Sequence, residues 1–257
     1  MLLHHLHRGE SSADAPSIIL LHGLFGSASN LGMVARGLAN DFSVFSLDLR
    51  NHGKSPRADT MSYDEMADDV ADFIRAQQLD RCHVLGHSMG GKVAMQLAQN
   101  QPQLIDKLVL ADIAPVQYPP HHDQLLEGLD AVAEAGASDR KQADQILSGY
   151  VEDAGVRAFL LKSWQRDESG NNHWLINRQA VRANYAKLGE ANHGTGFSGD
   201  TLFIVGGDSD YMQPSYRQQT LALFPAAKVK VIEGTGHWLH AEKPTIFNKL
   251  ALRFLLG

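Results

Sequence analysis

Gly86-His87-Ser88-Met89-Gly90 sets a serine between glycines, directly after the apolar run Cys82-His83-Val84-Leu85 and directly before a segment of helical character. A serine hydroxyl is a weak nucleophile at neutral pH and needs an adjacent general base. A sharp strand-to-helix turn lifts such a hydroxyl clear of the chain, and its neighbours must then lack side-chain bulk. The start of the helix also points backbone N–H groups at any negative charge forming there. Gly91 extends the run of small residues for close packing. A tight turn carrying an idle serine is the plain structural alternative.

The base must come late in the chain if the order is serine, acid, histidine. Of thirteen histidines, His237 fits: Gly234-Thr235-Gly236-His237-Trp238 lies after the last strand candidate and before the last helix candidate. His240 is a fallback that reads as structural. A tetrahedral intermediate needs two preorganised donors. The N–H groups of Met89 and of Leu24, in His22-Gly23-Leu24-Phe25-Gly26, are expected to supply them, with Phe25 as the alternative to Leu24. His22 itself reads as an organiser of that loop. A carboxylate must orient the base and stabilise its imidazolium. Two are placed for this, Asp112 and Asp210, the latter in Gly207-Asp208-Ser209-Asp210.

The elements that must carry these residues have a clear rhythm. Strand candidates run over residues 17–21, 43–47, 82–85, 107–111, 201–205 and 228–232. Most are continuous apolar runs, as expected of parallel strands buried on both faces. Between them, Tyr63, Met66, Ala67, Val70, Phe73 and Ile74 recur at helical spacing, behind a capping box of Ser62 and Glu65. A helix from Met89 to about Asn100 should stop before Pro102, and Pro244 suits the first turn of a last helix ending near Leu256. The expected fold is therefore α/β, a mostly parallel central sheet flanked by helices. From about Pro115 to Ser198 the rhythm breaks into helical periodicity without a convincing strand. Residues 1–115 and 199–257 are thus expected to form the core, and residues 116–198 a helical cap inserted after the strand that ends near Asp112.

Composition narrows the function. The chain has 257 residues, 44% hydrophobic and 20% charged, with a formal charge of -6 that argues against nucleic acid or an anionic membrane as partner. No stretch approaches the roughly 18 apolar residues of a membrane span, and no secretory leader is evident, so a cytoplasmic location is expected. Cys82, the single cysteine, reads as core. The residues require no cofactor and no metal. His4-His5-Leu6-His7 reads as an N-terminal strand, and His121-His122-Asp123 as a solvated cap loop rather than a metal site. Asp48, Arg50 and Asn51 are expected to tie down a turn. Trp164 and Trp174 fit either an acyl pocket or cap packing; Trp238, beside the base, fits the rim of the site.

Taken together, His22-Gly23, the Gly86–Gly91 turn and Gly236-His237 resemble the α/β-hydrolase superfamily across nearly the whole chain. His22–Ser27 with Asn30-Leu31-Gly32, Asp48–Gly53, Gly86–Lys92, Asp112-Ile113-Ala114-Pro115 and Gly236–Pro244 resemble the YbfF-type esterases, which act on acyl esters and acyl thioesters. That resemblance implies Asp112 as the acid, with Ser209 matching a serine of the group; Phe25, Ser209 and Trp238 are expected to border the substrate. Most of the superfamily keeps its acid where Asp210 stands. The function implied is hydrolysis of a small-molecule acyl ester or thioester through an acyl-serine. Carbon–carbon bond hydrolysis of diketones, or a small-ligand receptor on the same fold, are the alternatives. Dehalogenases and epoxide hydrolases of this fold use an aspartate nucleophile, which Ser88 argues against.

Overall fold

The structure, a computed structural model, describes residues 1–9 and 15–257. Among the described residues, seven strands form one sheet: β1 (His5–Arg8), β2 (Ser17–Leu21), β3 (Ser43–Leu47), β4 (Cys82–His87), β5 (Ile105–Ala111), β8 (Thr201–Gly206) and β9 (Ala227–Ile232). Their spatial order is β1-β3-β2-β4-β5-β8-β9. Only β1 is antiparallel to its neighbour; the others pair in parallel. The chain leaves β2 for β3 on one side and returns to β4 on the other. Such a reversal opens a crevice at the C-terminal strand ends, and the turn after β4 holds Ser88 there.

Buried on both faces, β2 sends Ile18 and Leu20 into one apolar cluster and Ile19 and Leu21 into the other. The first cluster is completed by α1 (Gly32–Leu38) and α10 (Pro244–Leu256). On the opposite face lie α2 (Tyr63–Ala76), whose Ser62–Glu65 capping box forms as expected, and α3 (Met89–Asn100). The short helices α8 (Arg217–Leu223) and α9 (Leu239–Glu242) complete the C-terminal part. The expectation of two-sided burial fails for β9. It is an edge strand pairing only with β8, and its Lys228, Val229, Lys230 and Val231 are exposed. Two lysines on an edge are a common guard against pairing with another chain.

The segment between β5 and β8 contains α4 (Asp123–Glu134), α5 (Arg140–Leu147), α6 (Ala154–Leu160) and α7 (Arg178–Leu188). It also contains a strand pair that the sequence reading lacked: β6 (Trp164–Arg166) against β7 (Asn172–Trp174). Trp164 and Trp174 are register partners with ring centres 4.9 Å apart, and the Trp174 indole N–H donates to the Leu129 carbonyl at 2.9 Å. Both indoles thus pack the inside of this segment. The buried Lys92 of α3 anchors both ends of it, its Nζ donating to the carbonyls of Val116 (2.6 Å) and Glu190.

Candidate active site

The turn after β4 holds Ser88 at φ 54° and ψ -121°, a left-handed conformation that a side chain rarely adopts without compensation. Packing compels it. A Cβ on Gly86 would lie 2.3 Å from the Gly90 carbonyl, and one on Gly90 would lie 2.3 Å from the Leu21 carbonyl. The strand, the turn and the first turn of α3 approach too closely for side chains. Ser88 Oγ stands free of this crowding and lies 2.9 Å from His237 Nε2.

His237 reaches it from the loop after β9. Gly206 lies against the Thr235 and Gly236 carbonyls without room for a Cβ, and the Glu242 carboxylate accepts from the Gly236 N–H at 3.0 Å. The imidazole is held on both sides. Its Nδ1–H donates to Asp112 Oδ2 at 2.7 Å, which leaves Nε2 free to accept the Ser88 proton. The ring of Tyr211 stacks on it, centre to centre 3.8 Å and only 18° from parallel.

Asp112 follows β5, is buried, and adopts φ 52°. Besides His237, its carboxylate accepts from the Gly206 N–H at 2.9 Å and from the Ser209 hydroxyl at 2.5 Å. Ser209 therefore contacts the acid and not the cavity wall of Ser88. Asp210 is exposed and makes no bond to His237. Of the two carboxylates, the structure brings only Asp112 to the imidazole.

Opposite the turn, the loop after β2 passes over Ser88: a Cβ on Gly23 would sit 3.3 Å from Ser88 Cβ. His22 holds this loop, donating from Nδ1 to the Gly23 carbonyl (2.8 Å) and accepting the Leu49 N–H at Nε2 (3.1 Å). Phe25 has φ 64°, and its N–H donates to His52 Nε2 at 3.3 Å. The Phe25 N–H is thereby engaged within the loop. Asp48, Arg50 and Asn51 brace the adjoining loop. Asp48 accepts from the Ala28 and Lys54 N–H groups, Arg50 from Nε binds Asp69 at 2.6 Å, and Asn51 accepts from Ala58. Burial lowers the pKa values of His22, His52, His87 and His240, with His52 and His240 falling to about 3, so all four are uncharged near neutrality.

A cavity of about 760 Å³ opens above Ser88, walled by Leu24, Phe25, Leu125, Val156, Phe159 and Trp238. Trp238 stands on its rim with Phe159 at 5.8 Å between ring centres, whereas neither Trp164 nor Trp174 lines it. A smaller cavity of about 170 Å³, bounded by Lys92, Ile113 and Leu188, also ends at Ser88. Leu24, His122 and Tyr211 border both. His122 is a correction to the sequence reading. It is half-buried, turned towards the cavities, and its ring meets Phe25 edge-on at 5.8 Å, so it is not part of a solvated loop. Tyr211 was missed as well. Its neighbours Ser209 and Asp210 carried the chemical signal, and only the fold reveals that the next residue lies on the base.

Comparison with known proteins agrees with this fold. The family model described as alpha/beta hydrolase fold matches residues 16–244. Esterase YbfF of Escherichia coli (strain K12) is 43% identical over 239 residues, covering 93% of this chain and 92% of its own. An sn-1-specific diacylglycerol lipase of Mus musculus is 35% identical, over 96% of this chain and 83% of its own. The solved structure of a marine microorganism esterase superposes with a TM-score of 0.94 at 37% identity, covering 98% of this chain and 99% of that one.

Proposed function

The chain belongs to the α/β-hydrolase fold family and is a carboxylesterase-type hydrolase, and from that premise we propose that it cleaves acyl esters or acyl thioesters through an acyl-serine intermediate on Ser88. The observation that carries this reading is the pair of contacts made by one imidazole: 2.9 Å to Ser88 Oγ and 2.7 Å to Asp112. As Ser88 Oγ bonds to the acyl carbon, its proton passes to His237 Nε2. The Asp112 carboxylate fixes the tautomer that can accept it and offsets the positive charge that results. The N–H groups of Met89 and Leu24 hold the tetrahedral oxyanion. Collapse breaks the bond to the leaving oxygen or sulfur, which takes the proton from His237. Water then attacks the acyl-serine with His237 again as base, releasing the acid and restoring Ser88.

Residues 116–198 act as a cap in this reading. Their Leu125, Val156 and Phe159 give the large cavity its apolar wall, suited to a hydrocarbon portion of the substrate. A serine-directed phosphonylating reagent tests the mechanism. One label per chain on the peptide bearing Ser88, absent in Ser88→Ala, is expected; a label elsewhere, or none on folded protein, contradicts it.

A further inference from the structure

His122 stands where the two cavities meet at Ser88, and no step of the reaction above uses it. Its hydrogen bonds define its protonation. The Tyr185 hydroxyl oxygen accepts the backbone N–H groups of His121 (3.1 Å) and His122 (2.9 Å). With both acceptor positions taken, the phenol can only donate its own proton, and the remaining partner is His122 Nδ1 at 2.7 Å. Nδ1 is therefore an acceptor, and the ring hydrogen sits on Nε2. Backbone and ring are fastened to the same phenol oxygen, so the ring is held in place as well as in tautomer.

The charge state is equally fixed. Burial, with His121 and His237 nearby, pulls the His122 pKa down to about 3. Tyr185 and Tyr211, which line the smaller cavity with it, are displaced upward by burial, Tyr211 to about 12. None of these supplies a positive charge, and His121 is itself occupied, donating from Nδ1 to the Pro119 carbonyl at 2.9 Å and accepting from the Tyr211 hydroxyl at 2.6 Å.

We propose that His122 is a specificity-determining residue: its Nε2–H is a fixed, uncharged donor that receives an oxygen acceptor carried by the substrate beside the scissile acyl group. The inference rests on the ester-hydrolase reading and names its substrate class. Preferred substrates are esters with an ether, hydroxyl or carbonyl oxygen within a few bonds of the reacting carbonyl, and plain alkyl esters are poorer. A neutral donor rewards such an oxygen without selecting for an anion. A site built around a hydrogen bond also rejects a substrate that leaves its donor unpartnered.

Two isosteric pairs of esters, each differing by one oxygen for one methylene, provide the test. Methoxyacetyl against butanoyl esters probes the acyl side, and methoxyethyl against butyl esters the alcohol side. The readout is the kcat/KM ratio within each pair, compared between variants so that intrinsic reactivity cancels. His122→Phe is expected to lower the ratio about tenfold in one pair, as for loss of a neutral hydrogen bond, and His122→Gln, which keeps an N–H, to lower it less. Tyr185→Phe, which leaves the cavity wall intact but frees the tautomer, should also lower it and serves if His122→Phe fails to fold. Ratios unchanged in both pairs in folded variants overturn the proposal. Failure of the wild type to hydrolyse any of the four esters overturns the underlying reading instead.

Discussion

Asp112 and Asp210 follow neighbouring parallel strands, β5 and β8, so sequence position alone places both near the same crevice. What separates them is invisible in one dimension. Asp112 turns inward at φ 52° onto the Gly206 N–H, the Ser209 hydroxyl and His237, and Asp210 turns out to solvent. Asp112→Asn is expected to lower kcat by about 10³ to 10⁴, and Asp210→Asn to stay within about twofold of wild type, as for an exposed substitution; steady-state kinetics of the two side by side distinguishes them. Ser209→Ala should fall between, since it removes one donor from the carboxylate without removing the carboxylate. Ser88, His237 and the loop at Gly23–Phe25 were legible because glycine patterns betray close backbone approach. His122 and Tyr211 were not, since an aromatic ring or an imidazole in a loop carries no positional signal until the fold aims it.

The elements were legible where periodicity is long. The two-sided strands β2, β4, β5 and β8, the capping box of α2 and the final helix from Pro244 all form close to expectation. Strands of three residues, such as β6 and β7, are too short for alternation to register, so the hairpin inside the inserted segment escaped notice. Trp174 carries much of that hairpin, buried against Trp164 and bonded to Leu129. Trp174→Ala should destabilise the protein by about 3–5 kcal/mol, measured by denaturant titration. The loop after β8 also matters as an element, because it lays Tyr211 on His237 while the Tyr118 hydroxyl donates to the Tyr211 carbonyl. Tyr211→Leu is expected to reduce kcat and the rate of Ser88 phosphonylation in parallel, with Tyr211→Phe near wild type. Unequal losses, or an equal loss in Tyr211→Phe, would show that the stack does not position the base.

For the whole molecule, the histidines packed beneath the site make stability depend on acidity. His52 and His240 are held at about 3 against an ordinary value of 6.5. As pH falls below that ordinary value the unfolded chain takes up protons that the folded state refuses, so stability is full above about 6.5 and drains towards 3. The Tm should therefore fall steadily from pH 6.5 to 4, and His240→Gln should show a shallower slope; equal slopes would contradict the burial argument. Core and inserted segment share one apolar cluster, in which Val93 and Phe73 join Leu129 and Trp174, so the two should unfold together. Among the described residues no helix is long and apolar enough to cross a membrane. The most direct measurement is steady-state hydrolysis of chromogenic acyl esters, from short to long chains, by wild type and by Ser88→Ala. Turnover that the wild type sustains and Ser88→Ala abolishes is the predicted result. Turnover unaffected by Ser88→Ala, or none from folded wild type on any chain length, would contradict an acyl-serine esterase.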